Sequence, residues 1–579
     1  MNVLTESRWI MQSTDANIPL MAETLKISEI TANVMAIRGI RTKNTALTFL
    51  SPSIDRLHDT LKMKDAEKAI IRIASAIPSE KITIYGDYDA DGIMSTAIMY
   101  KLLKRLGANV QYYIPHRIEE GYGLNKNAVQ KLAESGTQLL ITVDNGIAAV
   151  EEVALANQLG MATVIIDHHA PPEILPPADA IVDPHQQECE YPFKDMCAAG
   201  LAFKMAAALC EYLNTPFVEK DELLVFAAIA TLCDIVNLSD ENRILVNCGL
   251  TIINKNKLIN AGLGSLISIR GYLEKPIDAF TIGFVIGPCL NAAGRLKSAT
   301  LAMELLLCHE NDAEKRINLA QELMELNDAR KNLTTGSVTR ALAALPQADE
   351  LPNVLVITDE EAHESVAGIV AGKIREATNR PTILLTQGDG AMKGSGRSIE
   401  AYNLFEALYT HRKLFTRFGG HAMAAGLTIP AENIPLLRTL LNRDNALTQD
   451  DFLPIIQIDR ELKPEEITLK LSIELSHLAP FGKGNLEPIF ITSNLYAESV
   501  RVLNEKNTLI FTFAYNGRRL KGIAFGLNEA YEAKIKAANG DKYGGIYMDV
   551  VYGIETNVWN NKAEVQIRIR DFQVLKGLY

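Results

Sequence analysis

Residues 81–169 alternate between short apolar runs and amphipathic stretches, and this alternation narrows the fold more than any other feature of the chain. "KITIYG", "NVQYYIP", "QLLITV" and "ATVIID" read as strands. "GIMSTAIMYKLLKRLG", closed by Gly107, "NKNAVQKLAESG", closed by Gly136, and "AAVEEVALANQLG" read as helices. Apolar strands joined through helices predict a parallel sheet with right-handed crossovers. In such a sheet ligands bind beyond the C-terminal ends of the strands. Three of the runs deliver acid to that edge. They supply Asp87, Asp89 and Asp91 before a helix expected to start near Gly92, Asp144 in "VDNG", and Asp167 with His168 and His169 in "IDHH".

Each of these segments is ordinary by itself. An Asp-rich turn caps helices or sits in water, "VDNG" makes a tight turn, and two adjacent histidines arise by chance. Together they bring five aspartates and two histidines to one edge. Carboxylates crowded in a cleft without partners must protonate or bind cations. Carboxylates and imidazoles without thiolate suit Mn²⁺, Mg²⁺ or Zn²⁺, and histidine moves the choice from Mg²⁺ toward Mn²⁺. Two such ions about 3.5–4 Å apart, sharing one carboxylate, would activate a water and stabilise the leaving oxygen of a phosphate ester. Metal-assisted phosphoester hydrolysis is therefore the expected reaction class.

At 579 residues the chain exceeds a single core. From about 194 to 300 it turns mostly helical, and 311–344 read as one long connector helix of mixed charge. After the break "ALPQADELP" come strand-like "NVLVIT", a helix around 366–377, strand-like "PTILLT" and glycine-rich "GDGAMKGSGRS", a second and smaller α/β domain. Beyond "NRDNALTQD", short strands such as "TLIFTFAY", "GIYMDVVYGI" and "EVQIRIRDFQVL" predict a small β-barrel. The expected class is α/β, divided into an N-terminal segment (1–65), a parallel-sheet catalytic domain (66–305), a connector (306–350), the second α/β domain (351–445) and the barrel (446–579).

The net charge of −12 argues against generic coating of nucleic acid, though local basic patches can coexist with an acidic metal site. Seven cysteines between Cys189 and Cys308, with no CxxC pair, read as reduced core thiols. The N-terminus lacks the pattern of a signal peptide, and no uninterrupted apolar run reaches ~18 residues. A cytoplasmic protein without a membrane span is expected.

"DYDADG", "VDNG" and "DHH", in this order, resemble the DHH phosphoesterase superfamily. "HRIEEGYGL" (116–124), "ENRILVNCGL" (241–250), "GPCLNAAGRL" (287–296), "KGSGRS" (393–398) and "FGGHAMAAG" (418–426) extend the resemblance, over nearly the whole chain, to its RecJ family of single-strand-specific 5′ exonucleases. "LAPFGKGNLEPIF" (478–490) resembles the opening of that family's OB-fold domain. The resemblance implies a DHH catalytic domain, a DHH-associated domain facing it across a cleft, and a C-terminal OB-fold. It implies two-metal hydrolysis of single-stranded DNA from the 5′ end with Mn²⁺ or Mg²⁺, releasing mononucleotides in DNA repair and recombination. It also implies a monomer whose partners include single-strand-binding protein and a helicase.

Roles carry over position by position. Asp89, Asp91, Asp144 and His168 match the family's metal ligands, with Asp144 as the bridge, and Asp234 in "ATLCDIVNL" matches the aspartate that completes the site. Asp87 and Asp167 are either ligands or carboxylates that orient the histidines. His169 is a candidate for the scissile phosphate. Arg117, Arg295, Ser395 and Arg397 are candidates for phosphate binding, the last two in a glycine-rich loop whose amides suit an anion. His421 either contacts substrate or packs against the glycine turn. In the barrel Tyr496, Phe511, Phe513 and Tyr515 are available for base stacking, of which one or two are expected to serve.

Two positions depart from the family pattern. Cys289 stands where members carry an arginine, and Ser365, near His363, stands where glycine is usual. The alternatives are an enzyme for short oligoribonucleotides or cyclic dinucleotides, which would lack the barrel, and a binding scaffold, which would have lost its acids. This chain has both the barrel segment and every acidic motif.

Overall fold

The computed structural model describes residues 7–575 except 348–349, 389, 504–506, 527, 541–543 and 561. The chain divides into two compact units: Asn44–Arg330 with Ala479–Leu486, and Met1–Lys43 with Lys331–Leu478 and Glu487–Tyr579.

In the first unit the alternating segment forms β1 (Lys81–Tyr85), α1 (Ala90–Arg105), β2 (Asn109–Tyr113), α2 (Lys126–Glu134), β3 (Leu139–Val143), α3 (Val150–Gln158), β4 (Ala162–Ile166) and β5 (Ala180–Val182). The sheet runs β2-β1-β3-β4-β5 and every pairing is parallel, as the alternation predicts. All five residues of β3 are buried, so it reads as a continuous apolar run and not as an alternating one. β5 adds a fifth strand that three residues were too short to announce. Helix α1 begins at Ala90, two residues before Gly92, because the Asp89 side chain caps it by accepting the amides of Asp91 and Gly92. Its buried face, including Ile93, Met94, Ile98 and Leu102, joins the main core, each such side chain contributing about 1.5–3 kcal/mol.

Helices α4 (Ala198–Tyr212), α5 (Lys220–Cys233) and α6 (Asp240–Lys255) complete this core, with α4 and α5 packed on α1. A helical turn Ala279–Thr281 and a π-helical turn Ile282–Ile286 then lead into α7 (Gly287–Leu296). Among the described residues, Ala279–Leu296 is the one helical stretch long and apolar enough to cross a membrane, and half of it is buried in the protein. It is not an uninterrupted apolar run, since Pro288, Asn291 and Arg295 fall within it.

Residues 479–486, distant in sequence, lie in this unit. The Lys483 carbonyl accepts the Leu238 amide at 2.7 Å. Buried Arg243 donates to the carbonyls of Phe49 (2.9 Å) and Ala479 (2.8 Å). No local pattern foretold that this segment would leave the barrel it introduces.

Helix α8 (Ala313–Ala343) is the expected connector, its residues up to Arg330 counting with the first unit. In the second unit β6 (Leu355–Thr358), α9 (Ala367–Thr378), β7 (Thr382–Gln387), β8 (Met392–Arg397), β9 (Arg417–His421) and β10 (Ala424–Ile429) form a sheet in the order β9-β10-β8-β7-β6. "KGSGRS" is therefore a strand and not the expected loop. Its backbone is paired with β7 on one side and β10 on the other. Its glycines serve packing: a Cβ on Gly394 would lie 2.6 Å from Leu385, and one on Gly396 2.5 Å from Leu404.

Strands β11 (Phe490–Leu503), β12 (Thr508–Tyr515), β13 (Arg518–Phe525), β14 (Ile546–Trp559) and β15 (Lys562–Val574) run in the order β11-β12-β13-β15-β14, and β14 pairs back with β11. This is a closed five-stranded barrel. Phe511 and Phe513 are buried inside it, ring centroids 5.6 Å apart, so neither is available to a base. Tyr496 and Tyr515 are half-buried. No disulfide joins any of the seven cysteines, in line with the reading of reduced thiols.

Candidate metal centre

The C-terminal tips of β1, β3 and β4 and the C-terminus of α5 bring Asp87, Asp89, Asp91, Asp144, Asp167, His168, His169 and Asp234 into one neighbourhood. Three overlapping sets emerge: Asp87, Asp89 and Asp144; Asp144, His168 and His169; Asp91, His168 and Asp234. In each, one ligand atom per residue lies within 4.8 Å of the others. Asp144 and His168 each belong to two sets. His168 Nε2 lies 3.1 Å from Asp144 Oδ1 and 3.7 Å from Asp91 Oδ2, and its Nδ1 lies 3.9 Å from Asp234 Oδ2.

The backbone is held out of its common basins to achieve this. Asp144 has φ +63°, and Ile235, directly after Asp234, has φ +58°. A β-branched residue there is a true outlier, and such strain collects at functional sites.

The carboxylates differ in what already binds them. Asp167 is satisfied: Oδ2 accepts the Ile147 amide, and Oδ1 accepts the amides of His168 and His169 and lies 2.7 Å from His169 Nδ1. Asp91 accepts the amides of Ala198 and Ala199 at the start of α4, at 2.7 and 2.8 Å. Asp87 has a buried oxygen, Oδ1, with no partner. An unpaired buried carboxylate oxygen is costly, and beside Asp89 and Asp144 a cation is what would satisfy it.

Protonation follows the crowding. Burial first, and then Asp91 and Asp89, push the Asp234 carboxyl up to about 8. Burial and neighbouring carboxylates push Asp144 and Asp87 well above the usual range, and burial raises Asp91. For Asp167 burial is outweighed by His169 and the Ile147 amide, which hold it below its usual value. Burial opposes charge on His169, but Asp167 prevails and raises it to about 9. The nearby thiols of Cys197 and Cys233 are driven up by burial and then by the acids, away from the thiolate that binds metal. The donor set is therefore oxygen and imidazole, which suits Mn²⁺ or Mg²⁺.

Arg117 and Arg295 lie at the rim. The Arg117 guanidinium sits 4.8 Å from the centre of the Tyr88 ring. Arg295 is pushed down to about 10 by burial and then by Arg117 and Arg330, and it remains a cation at neutral pH. Helix α7 reaches the acidic loop closely. A Cβ on Gly294 would lie 2.2 Å from the Tyr88 carbonyl oxygen, and Asn291 Oδ1 accepts the Ala90 amide at 2.7 Å. In the same helix Cys289 is buried, with Asn327 Nδ2 3.5 Å from its sulfur.

Four neighbours escaped the sequence reading. The Tyr122 hydroxyl donates to the Asp144 carbonyl and lies 3.2 Å from His169 Nε2. Asn291 and Arg330 act as described, and Lys483 lies within electrostatic reach of Asp234. Tyr122, Asn291 and Lys483 had a signal, inside "EEGYGL", "LNAAGR" and "FGKGN", and Arg330 had none.

The remaining candidates belong to the second unit. On β8, Arg397 Nη1 donates to Ser395 Oγ (3.2 Å) and the Gly396 carbonyl (2.7 Å). The start of α9 approaches them: a Cβ on Gly368 would lie 2.7 Å from Arg397 Nη2 and 2.9 Å from Ser395 Oγ. Ser365 meets His363 Nδ1 at 2.7 Å just ahead of that helix. His421 ends β9 and is exposed, its glycine neighbours lying in the strand and not in a turn.

The chain resembles known proteins along its length. It matches the DHH family N-terminal domain over residues 81–231, the DHHA1 domain over 351–445 and the RecJ OB domain over 458–571. The single-stranded-DNA-specific exonuclease RecJ of Bacillus subtilis (strain 168) is 37% identical over 578 residues, covering 98% of this chain and 71% of that protein. The crystal structure of RecJ from Thermus thermophilus in complex with Mn²⁺ superposes with a TM-score of 0.83 at 29% identity, covering 99% of this chain and 80% of that one. The corresponding Mg²⁺ complex gives 0.78 at 28% identity, covering 98% and 79%.

Proposed function

From the premise that the chain belongs to the RecJ family of single-stranded-DNA-specific exonucleases, we propose that it degrades single strands from the 5′ end, 5′ to 3′, to mononucleotides. It is a metal-dependent nuclease acting on single-stranded DNA. The observation that carries the reading is that Asp144 joins Asp87 and Asp89 in one ligand set and lies 3.1 Å from His168, which joins Asp91 and Asp234 in another, so that this carboxylate stands between two sets as a pair of ions requires.

Asp87, Asp89, Asp91, Asp144, His168 and Asp234 would hold two Mn²⁺ or Mg²⁺ ions, with Asp144 as the bridge. When bound, the ions supply positive charge that acidifies water and neutralises phosphate oxygens. The chain's own groups do the rest. Asp167, already satisfied, takes the part of orienting carboxylate and fixes His169 through Nδ1. Against burial, Asp167 at Nδ1 raises the pKa of His169 and favours its charged form, which suits the ring as a donor to the scissile phosphate. Arg117 and Arg295 gather further phosphate oxygens. Ser395 and Arg397, on β8 beside the start of α9, suit a terminal 5′ phosphate through side chain and helix dipole. His421 is a further substrate contact.

The five segments expected from the sequence would act as a catalytic domain, its associated domain, an OB-fold and the pieces joining them. The setting would be the cytoplasm, in repair and recombination, as a monomer alongside single-strand-binding protein and a helicase. The test is hydrolysis of 5′-labelled single-stranded DNA with Mn²⁺, run beside a duplex of the same sequence and a 2- to 5-mer RNA. Mononucleotides released from the labelled end of the single strand alone are expected. Equal cleavage of the duplex overturns the substrate assignment.

A further inference from the structure

The helical stretch that brings Asn291 and Arg295 to the metal centre begins with two phenylalanines in solvent. Phe280 and Phe284 are 62% and 68% exposed. Their rings stack on each other, centroids 4.8 Å apart and planes 24° from parallel. Two large apolar rings side by side in water are unfavourable unless something covers them.

Their placement is ordered. Positions 280, 284, 288, 291 and 295 are spaced by four, four, three and four residues, which is one stripe along a helix. The stripe ends at the centre, where Asn291 holds the Ala90 amide and Arg295 neighbours Arg117, Tyr88 and Asp89 electrostatically. Ile282 and Ile286 lie in the core on the opposite side. Ile282 and Ile286, four residues apart, face inward while Phe284 between them stays out, and they lie in a π-helical turn, a feature frequent at functional sites.

An exonuclease holds a strand terminus in its centre, so the rest of the strand must leave across the neighbouring surface. Seven residues of helix separate Phe284 from Asn291, about 10 Å at 1.5 Å per residue. That distance spans about three nucleotides at the ~3.4 Å rise of a stacked strand. We infer that Phe280 and Phe284 form a stacking platform for unpaired bases of the substrate, about three nucleotides from the reacting phosphate. Aromatic rings stack on any base, so the platform is tolerant of sequence. The faces of paired bases are already stacked within a duplex, so the platform favours single strands. This inference rests on the exonuclease reading above.

The test uses the full chain with Mn²⁺, the variants F284A and F280A/F284A, and two 5′-labelled strands of about 20 nucleotides. One strand carries normal bases, and the other carries abasic residues at nucleotides two to five. Both side chains are exposed, so the melting temperature should hold. On the normal strand the double variant should raise KM by roughly 5- to 150-fold, the range for losing one stacked base, while kcat on a dinucleotide stays unchanged. The abasic strand should cost the wild type a similar factor and the double variant nothing more. F280W/F284W should restore KM and show tryptophan quenching by a phosphorothioate strand. Unchanged KM in the double variant, or an equal abasic penalty in both proteins, overturns the platform and assigns the patch to a protein or lipid surface. A wild type that leaves the normal strand intact overturns the exonuclease reading itself and the platform with it.

Discussion

Two glycine-containing polar motifs of opposite charge, "GDYDADG" and "KGSGRS", take opposite places in their sheets. The first lies beyond the tip of β1 and runs into the N-terminus of α1. The second is itself the strand β8, paired on both sides. In the first, backbone pairing has ended and carboxylates are left over, one of them with a buried oxygen and no partner. In the second the ladder consumes the amides, and only the side chains of Ser395 and Arg397 remain to do chemistry. A motif of three aspartates at a strand tip can thus make a centre that requires cations, whereas a motif carrying Lys393 and Arg397 within a sheet has only its side chains to offer the anion proposed for it.

The largest effect that would break this comparison belongs to the tip. Asp144→Ala removes the carboxylate common to two ligand sets. Hydrolysis should fall by more than the ~10–100-fold that follows loss of a mere orienting partner, while single-strand binding survives. Mn²⁺ titration calorimetry and turnover of a labelled strand check it together. Substantial residual turnover would mean that Asp144 does not organise two ions.

A smaller effect belongs to the strand. Because the amides of β8 are spent on the sheet, Arg397→Ala should remove most of the pocket's hold on a terminal phosphate. Preference for a 5′-phosphorylated over a 5′-hydroxyl end should drop by roughly tenfold or more, the worth of one charged hydrogen bond. Turnover of 5′-hydroxyl substrate should barely move. An unchanged preference takes Arg397 out of the pocket.

The same contrast explains what the sequence could disclose. Asp87, Asp144 and Asp167 were legible because each ends an apolar run, and strand tips in a parallel sheet converge whatever the rest does. Asp234 was not, since it ends an apolar helix where nothing local distinguishes it from a cap, and only the family resemblance singled it out. The glycines of "KGSGRS" suggested a loop because composition reports turn propensity, while the leucines that need their space, Leu385 and Leu404, come from other segments. The alternation of "LIFTF" places Phe511 and Phe513 on one face, but which face is inside depends on closure of the barrel. Tyr122, Asn291 and Lys483 reach the centre through tertiary approach, which no periodicity encodes.

The smallest expected effect is on stability, and it again separates tip from strand. Asp234 is raised to about 8, and Asp87, Asp91 and Asp144 are raised as well. An unfolded aspartate titrates near ~3.9, so between about pH 4 and 8 the folded, chelator-treated protein holds protons that the unfolded chain has released. Asp234 therefore contributes stability that is full below about pH 4 and is lost as pH rises through 8, and Asp87, Asp91 and Asp144 act in the same direction. Asp167, held below its usual value, has the opposite sign and loses its contribution only in acid. Scanning calorimetry of chelator-treated protein should show Tm falling from pH 5 to 8, by roughly 2–4 °C per kcal/mol lost. Asp234→Asn should flatten part of that slope, and Mn²⁺ should abolish it because cations take the place of the protons. Arg397→Ala should leave the slope alone. A flat profile in the chelator-treated wild type would show that the carboxylates at the strand tips are not crowded, and the argument for cations there would lose its electrostatic basis.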